Sequence, residues 1–503
     1  MPTNLADDAL IALAPHCKVV RTPPNEFYLI TDTDELRLTG ELFCDLAAHL
    51  DGTMTAEQIT TQMVSEGTAT VEEVPAAISI MRERGFVVDA REHDDESGLY
   101  RLWWGVENDE KIRTARICVV AVGETPSAQI TQALTEHGLA VVEDPQDATH
   151  VVLVVDDYLN PDLPRIARAL DKPVLLAHLA GARPTIGPWL GEPGPCAVCL
   201  AVRLTFNRQV ERRLLSTDDR MGPVSKGWTP ATATHGATEI ALAITRKILD
   251  IRPEGAHEDH SIEPMIVIDH LTGERAIHHV VRRPQCRACG TPLTIDDDHH
   301  RITLESGALD AKDDGSYRKL TPQQTLDTYG HHISKRTGVV EQLRRITTDA
   351  SVLHVVESGV NLAVASKGSN ICGFRQSAGG KGTSADQARA GALAEAIERY
   401  SAAYTGEEPT IVSTAAALGD EAIDPRAVTL FSQEQYANRE QWNAEHKGMH
   451  KVPVEFDPTV EMEWSPIWSI TKGSRMWIPT PFLFYLYGGK YPRNGCNADS
   501  NGN

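Results

Sequence analysis

The hydrophobic pattern of residues 17–90 changes from the period of a strand to that of a helix. The runs CKVVR, EFYLIT and ELRLTG are short, β-prone and partly alternating, which predicts three strands. The run ELFCDLAAHL has apolar residues at helical spacing. A second helix is predicted after Thr55, which forms a capping box with Gln58, and a third helix over 72–84. Strands followed by three helices of this size predict a winged-helix unit.

Strand-like and helical patterns alternate along residues 113–187. The apolar runs RICVVAVG, AVVED, HVVLVVDD and PVLLAHL predict strands. The segments SAQITQALTEHG and PDLPRIARALD have the pattern of amphipathic helices. Alternation at this spacing predicts a parallel, Rossmann-like sheet, with a further long helix near 233–250.

A polar joint at 296–335 leads to a third region, which begins with TGVVEQLRRI and the strand-like SVLHVVES. The sequence therefore predicts a multidomain chain of α/β and α+β class, with domains at 1–90, 100–295 and 315–503. A length of 503 residues agrees with about three domains.

Composition narrows the possible partners. Hydrophobic residues make up 41% of the chain and charged residues 23%, which is typical of a globular protein. The formal net charge is -22, and residues 1–100 hold 19 acidic against 6 basic side chains. An acidic chain is a poor electrostatic partner for nucleic acid or anionic lipid, so neither is an expected ligand.

The chain shows no signature of export or of a membrane span. The start, MPTNLADDAL, lacks a basic segment followed by an apolar run, which predicts no signal peptide. No run approaches the roughly 18 apolar residues of a transmembrane helix. Nine scattered or paired cysteines in such a chain indicate thiols and a metal site in a reducing cytoplasm.

Two CxxC pairs are the strongest chemical signal in the sequence. Cys196 and Cys199 form one pair, and Cys286 and Cys289 form the other. Two such turns complete a tetrahedral four-thiolate Zn²⁺ site that is closed, and therefore structural. Because 86 residues separate the pairs, the metal is expected to join distant parts of one domain.

The first strand of the middle domain lacks the signature of a nucleotide site. A dinucleotide or adenylate site requires G-x-G-x-x-G after this strand, and here only Gly123 is present, with Pro126 removing a donor. We predict a Rossmann-like domain without a working nucleotide site. Asp156 and Asp157, at the end of HVVLVV, are interpreted as solvated residues of a strand end.

The segment at 377–404 combines glycines with a strong helix pattern. Gly380-Lys381 is not a P-loop, because position 375 is Arg and position 382 is Gly. The following helix is capped by Ser384 and Gln387 and carries Glu395 and Glu398 on one face. Carboxylates beside a glycine-rich turn are able to hold Mg²⁺, but the spacing alone favours an ordinary solvated helix face.

Two histidine-rich segments resemble metal sites but favour another interpretation. His278-His279 and residues 296–300 (DDDHH) stand in polar contexts. We predict that both segments form solvated turns.

These segments together resemble one known family. SAGGKGTSADQARAGALAEAIERYSA (377–402) resembles the first signature of YcaO domains. GPWLGEPGPCAVC and CRAC are similar to the ThiF/E1-like partner module of azoline-forming peptide cyclodehydratases. Residues 17–90 resemble the winged-helix element with which these enzymes recognise leader peptides. The order of the three parts is that of the fused form of the family.

The resemblance implies an ATP-dependent cyclodehydratase that makes thiazoline or oxazoline from Cys, Ser or Thr of a ribosomal precursor peptide. The side chain attacks the preceding carbonyl, and ATP phosphorylates the resulting oxygen, which otherwise leaves poorly. The enzyme contributes positioning and, through Mg²⁺, charge neutralisation. The implied cofactors are ATP, Mg²⁺ and structural Zn²⁺. The implied partners are the leader and core of the precursor, with an azoline dehydrogenase and a homodimer as further possibilities.

The resemblance also assigns roles to residues. Glu395 and Glu398 match the Mg²⁺-holding carboxylates of the motif E-x-x-E-R, and Arg399 matches its arginine. Lys335 stands where many members have a basic residue near the phosphates. Leader binding by strand addition implies the β-run Glu35, Leu36, Arg37 and Leu38, together with the helix at 72–84.

One departure from the family pattern keeps other functions open. Residues 497–503 resemble the start of the turn that precedes a second YcaO signature, so we expect a fragment of a longer protein. A product of 503 residues is expected to catalyse little or no cyclisation. The alternatives are a leader-binding scaffold, a thioamide-forming enzyme, an adenylating E1-like enzyme, which the absent glycine fingerprint opposes, and a winged-helix regulator, which the acidic charge opposes.

Overall fold

A computed structural model represents the protein. It describes residues 8–14, 17–22, 26–30, 35–84, 86–92, 108–208, 227–295, 301–304, 306, 318–346, 352–360, 376–446, 451–484 and 487–491. The segments 296–300 and 497–503, discussed above, lie outside these residues.

The regular elements are numbered in chain order. The strands are β1 Leu10–Leu13, β2 Lys18–Thr22, β3 Glu26–Ile30, β4 Glu35–Thr39, β5 Asp51–Thr55, β6 Val87–Asp89, β7 Arg116–Val122, β8 Ala140–Val142, β9 His150–Val155, β10 Val174–His178, β11 Thr185–Leu190, β12 Ile262–Ile268, β13 Arg275–Val281, β14 Val340–Arg345, β15 His354–Val360, β16 Gln376–Gly382, β17 Ile411–Ser413, β18 Met462–Ser469 and β19 Ser474–Pro479. The helices are α1 Glu41–Leu46, α2 Ala56–Ser65, α3 Glu73–Glu83, α4 Asp109–Thr114, α5 Ser127–Glu136, α6 Leu163–Ala169, α7 Ala197–Asn207, α8 Pro230–Ile248, α9 Pro322–Tyr329, α10 Ala385–Ser401, α11 Ala415–Leu418, α12 Arg426–Thr429, α13 Gln433–Ala437, α14 Arg439–Glu445 and α15 Thr480–Leu483.

The N-terminal region contains two three-stranded sheets and the helices α1 to α3. The sheet orders are β5-β1-β6 and β2-β3-β4. The predicted capping box of α2 is present: the Gln58 amide donates to the Thr55 hydroxyl, and the Thr55 amide donates to the Gln58 side chain. Phe27, Met63 and Phe86 are fully buried in the core that the helices share with the strands.

The middle region is built on a seven-stranded sheet of order β13-β12-β11-β10-β9-β7-β8. Strands β7 and β8 pair in parallel, as predicted. The sheet as a whole is mixed, because β11, β12 and β13, which the sequence did not predict as strands, continue it from β10 in antiparallel pairs. The reason is the connection, because the six residues between β10 and β11 are too few for the helical crossover that a parallel neighbour requires.

The third region contains the sheets β14-β15-β16 and β17-β18-β19. Helix α10 packs across β16 and β15, and α9 packs beside α10. Helix α9 lies in the segment that the sequence suggested as a polar joint. It begins as a helix should, with Thr321 capping the Gln324 amide and Pro322 in the first turn.

The described residues form two compact units. The first lies within Met1–Val120, Pro126–Val152 and Ala233–Pro253, and the second within Ala121–Thr125, Leu153–Thr232 and Glu254–Asn503. Helix α10 and the residues 196–208 and 283–289 all lie inside the second unit. The domain limits predicted from the sequence stay a prediction. Among the described helices, none has both the length and the apolar character that a membrane crossing demands.

Candidate active site and cysteine cluster

The glycine-rich segment before α10 is a strand, and the turn expected from the sequence is therefore wrong. Gly379 and Gly380 lie in β16 and pair with Glu357 and Val356 of β15. A Cβ atom at Gly380 would lie 1.9 Å from the carbonyl oxygen of Ala388 in α10. Glycine is needed here because the backbone of β16 rests directly on the backbone of the helix.

The start of α10 confirms the predicted capping residue but not the complete box. The Ser384 hydroxyl accepts the Gln387 amide at 3.1 Å. The Gln387 side chain accepts the Thr383 amide at 2.8 Å, one residue earlier than in a capping box. Alanines and Leu393 form the buried face of the helix, which fixes the face on which the glutamates stand.

Glu395 is held from two sides. One carboxylate oxygen accepts the Gly379 amide of β16 at 2.9 Å. The other oxygen accepts Nη2 and Nε of Arg399 at 2.7 and 3.1 Å, one helical turn away. Because both oxygens are engaged, the orientation of the Glu395 side chain is fixed by the strand and the helix together.

Glu398 differs from its neighbour. It is exposed, and among the described residues its carboxylate makes no hydrogen bond or ion pair. Glu395 and Glu398 stand three residues apart on α10 and share one side of the helix. The pair thus offers one oriented and one free carboxylate, a donor set that suits Mg²⁺.

Lys335 is not joined to this pair by any contact of the described residues. It lies in the loop before β14, and its side chain is exposed. Its predicted position near the phosphates stays a prediction.

The two CxxC pairs meet in one four-cysteine cluster. The Sγ–Sγ distances are 3.8 Å for Cys196 and Cys199, 3.7 Å for Cys196 and Cys286, and 3.5 Å for Cys199 and Cys289. Four sulfurs at about 2.3 Å from one tetrahedral ion stand about 3.8 Å apart. The cluster therefore has the size that a single bound ion requires, and Cys199 and Cys286 in it are buried.

The protein backbone supports thiolates in this cluster. The Arg283 amide donates to Sγ of Cys199, and the Ala288 amide donates to Sγ of Cys286. Hydrogen bonds from the Cys196 thiol and from the Arg283 amide lower the pKa of Cys199 below the usual value of a thiol. Thiolate is the form in which cysteine binds metal.

Helix α7 connects the cysteine turn with the helix that carries the glutamates. It begins directly after Cys196, and its buried Arg203 places the guanidinium carbon 5.1 Å from the centre of the Tyr400 ring in α10. Phe206 meets the same ring edge-on at 6.2 Å. One rigid element thus extends from the cluster to the end of α10 nearest the glutamates.

A second connection begins at the other cysteine turn. The buried Arg283, whose amide faces Cys199, forms a salt bridge with Glu407, which follows α10 in the chain. Sequence reasoning missed Arg203, Arg283, Tyr400 and Glu407. A weak signal existed for Arg203, because it interrupts the apolar face formed by Cys199 and Leu204.

Two further interpretations are corrected by the structure. His278 and His279 lie in strand β13, where they are half-buried and contact the Ser334 hydroxyl at 2.8 Å and the Gly255 carbonyl at 2.9 Å. The prediction of a solvated turn failed because these contacts come from segments distant in sequence. Asp157 is buried and forms an ion pair with Arg208, so it is not a solvated strand-end residue.

The predicted leader-binding residues form strand β4 at an edge of the sheet β2-β3-β4. Glu35 and Arg37 are exposed, Leu36 is half-buried and Leu38 is buried. Arg37 pairs with Glu26 on the neighbouring strand, which also accepts the Tyr28 hydroxyl at 2.7 Å. An edge strand exposes backbone donors and acceptors, the feature that strand addition uses.

Comparison with known proteins identifies relatives of the chain. Residues 379–503 match the family model described as YcaO cyclodehydratase, ATP- and Mg²⁺-binding. A heterocyclase solved in complex with substrate and cofactor is 29% identical, with a TM-score of 0.80 over 98% of this chain and 67% of its own. The heterocyclase TruD is 27% identical, with a TM-score of 0.73 over 98% of this chain and 66% of its own. A search of curated protein sequences gave no significant match.

The chain spans about two thirds of the length of these two heterocyclases. The matched family segment begins at Gly379, whose amide binds Glu395, and it includes the whole of α10. Residues 379–503 thus match the YcaO cyclodehydratase family, and the chain as a whole is similar to two heterocyclases of known structure.

Proposed function

We propose that this protein is an ATP-dependent cyclodehydratase that converts Cys, Ser or Thr of a ribosomal precursor peptide into thiazoline or oxazoline. The observation that carries the proposal is the pair Glu395 and Glu398 on α10, inside the segment that matches the ATP- and Mg²⁺-binding family model. ATP supplies the phosphoryl group that turns the amide-derived oxygen into a leaving group.

In this proposal Glu395 and Glu398 hold Mg²⁺, and each has a distinct part. Glu398 is free to bind an ion directly. Glu395 is oriented by the Gly379 amide and by Arg399, so it needs little rearrangement when an ion arrives. Arg399 holds the Glu395 carboxylate through its ion pair and is itself a cation beside the expected phosphates.

We further propose that the four-cysteine cluster holds a structural Zn²⁺. The sulfur spacing, the thiolate-stabilising amides and the burial of Cys199 and Cys286 support this assignment. Four thiolates leave no position for a substrate, so the ion would act by fixing the start of α7.

The leader of the precursor peptide is proposed to pair with the edge strand β4, from Glu35 to Leu38. Binding the leader at a separate element raises the effective concentration of the core peptide at the catalytic site. The exposed Glu35 and Arg37 would then read side chains of the leader, while the backbone supplies affinity.

Mass spectrometry of a precursor rich in Cys, Ser and Thr tests the proposal. The 503-residue chain, and the same chain with a full-length YcaO domain, are each incubated with the precursor, ATP and Mg²⁺, and each ring formed removes the mass of one water. Glu398→Gln should abolish the loss, and Glu440→Gln, on the exposed α14, should leave it unchanged. Ring formation without ATP, or by the Glu398→Gln variant at the original rate, would contradict the proposal.

A leader-binding scaffold is the alternative function, favoured by the intact edge strand β4. Isothermal titration with leader peptide and with ATP separates the two functions. Leader binding without ATP binding or water loss identifies the scaffold. Replacement of oxygen by sulfur in the peptide, a gain of mass, would instead identify thioamide formation.

A further inference from the structure

A cavity of about 310 Å³ opens in the second unit, beside the ends of β9 and β10. Tyr158, two residues after Asp156, lines it from one side, and His178 at the end of β10 lines it from another. In open α/β sheets, ligands bind outside the carboxyl ends of the strands. The cavity therefore lies where ligands bind in sheets of this kind.

Three arginines from three distant segments line the same cavity: Arg183, Arg208 and Arg336. Arg183 donates from Nε to Asp269 at 2.7 Å. Arg208 donates from Nη1 to Asp157. The half-buried Arg336 has no hydrogen bond or ion pair with its side chain in the part of the chain that the structure describes.

The cavity therefore carries positive charge that these aspartates do not neutralise. Burial lowers the pKa of Arg336 below the usual arginine value, and the positive charges of Arg208 and Arg183 lower it further. The nearby Tyr158 acts on this pKa in the opposite direction, with an effect smaller than that of burial. Such proximity of guanidinium groups is unfavourable unless an anion lies between them. A cavity lined by three arginines also contrasts with the net charge of -22 of the whole chain.

We propose that this cavity is a binding site for a phosphate group, carried either by free inorganic phosphate or by a nucleotide. Guanidinium groups bind phosphate through paired, nearly parallel hydrogen bonds, and a phosphate group offers more acceptor oxygens than a carboxylate to guanidinium groups that line one cavity. Leu204 and Met265 supply apolar wall beside the arginines, and the volume is that of a small-molecule pocket.

This site is separate in its residues from the proposed ATP site on α10. The test therefore uses the Glu395→Gln/Glu398→Gln double variant, in which binding at the carboxylate pair is removed. Inorganic phosphate, AMP, adenosine and acetate are titrated by calorimetry into this variant and into the original protein.

Phosphate is expected to bind both proteins with equal affinity. In the double variant, Arg336→Gln should weaken phosphate binding at least tenfold, which corresponds to about 1.4 kcal/mol. Arg165→Gln, which removes an exposed partner of Asp162 on α6, should leave the affinity unchanged. AMP binding more tightly than phosphate, with adenosine silent, identifies a nucleotide as the source, and equal affinities identify free phosphate.

The proposal is overturned if phosphate does not bind at about 10 mM, a concentration that saturates even a millimolar site. It is also overturned if Arg336→Gln binds phosphate as the original does, or if acetate binds as tightly as phosphate. Should Arg336→Gln fail to fold, Arg183→Gln replaces a mostly exposed side chain and is titrated instead. Unchanged phosphate affinity in that variant overturns the proposal, while ring formation by the original protein remains a separate result.

Discussion

The cysteine cluster and the glutamate pair on α10 are two candidate functional regions that differ in how completely their side chains are already partnered. The cluster is closed, because four sulfurs face one another within 4.8 Å and amides support them. The pair on α10 is open, because Glu395 is oriented while Glu398 has no partner among the described residues. The closed region can complete its coordination from its own chain, and the open region depends on what it binds.

This difference explains why the cysteine cluster was easier to predict from the sequence than the glutamate pair. A closed site contains all its ligands, so the CxxC spacing alone identified it. In the proposed Mg²⁺ site the ligands would be shared with a nucleotide and with other segments, so the spacing of Glu395 and Glu398 is also that of a solvated helix. Only the resemblance to YcaO domains favours the Mg²⁺ interpretation, which stays a prediction.

The largest effect on the difference between the two regions is expected for Cys199→Ser, in the closed cysteine cluster. If the closed site is structural, losing one thiolate should release the metal and cost at least about 3 kcal/mol of folding free energy. Metal content and thermal unfolding measure this together. Cys44→Ser, at a half-buried cysteine outside the cluster, should retain the metal. Full metal occupancy in Cys199→Ser would show that the cluster is not a four-thiolate site.

The next largest effect is expected for Gly380→Ala, which tests the support of the open region. The added Cβ meets backbone atoms of α10, so the strand or the helix must move, at a cost of about 2 kcal/mol or more. Gly379→Ala is the matched control, because its Cβ would stand 3.7 Å from the nearest atom, the Val356 carbonyl. Chemical denaturation should separate the two variants. Equal stability would mean that the close approach is not required.

Acid should weaken the structure near Arg203, which connects the two regions. Burial, with the neighbouring charges of His331 and Arg203, lowers the pKa of His332 to about 3. In the unfolded chain this group takes up a proton near pH 6.5, so folding stability falls as the pH drops from 7 to 5. The loss is about 1–2 kcal/mol for this group.

Unfolding in denaturant at pH 7 and at pH 5 measures this loss. His332→Asn should make the stability less dependent on pH over this range. His260→Asn, on an exposed turn, controls for the substitution itself. An unchanged pH dependence in His332→Asn would contradict the buried, neutral state of that imidazole.

Arg399→Gln should give the smallest effect on stability. Its ion pair with Glu395 is about one third exposed on each side, so its removal should cost less than about 1 kcal/mol. Ring formation should nevertheless fall strongly, because Glu395 loses its orientation. Arg389→Gln, which removes another exposed pair on α10, should match it in stability and keep activity. A stability loss without loss of activity would assign Arg399 a structural part only.

Local patterns predicted local structure well. The capped start of α2 at Thr55, the strands β7 to β10 and the long α8 follow from periodicity and capping, because those rules concern neighbouring residues. The predicted helix at 72–84 is α3, shorter by one residue at each end. Within α10, Ser384 caps as predicted.

Long-range structure was not available from the same patterns. The strand at Gly379–Gly380 depends on its pairing with β15, and periodicity does not report pairing. His278 and Asp157 were assigned to solvent because their partners, Ser334 and Arg208, stand 56 and 51 residues away. The contact of Arg203 with Tyr400 likewise joins two helices whose sequences give no mutual signal.

The turn after β7 has a consequence for phosphate binding at the middle domain. A Cβ at Gly123 would stand 2.0 Å from a carboxylate oxygen of Asp156, so that side chain fills the space in front of the glycine. A phosphate entering there would meet a negative charge that is also bonded to Asn160. Binding of a nucleotide at this turn would require the replacement of Asp156 as well as further glycines. A new glycine alone, with Asp156 in place, would leave this turn blocked to a phosphate group.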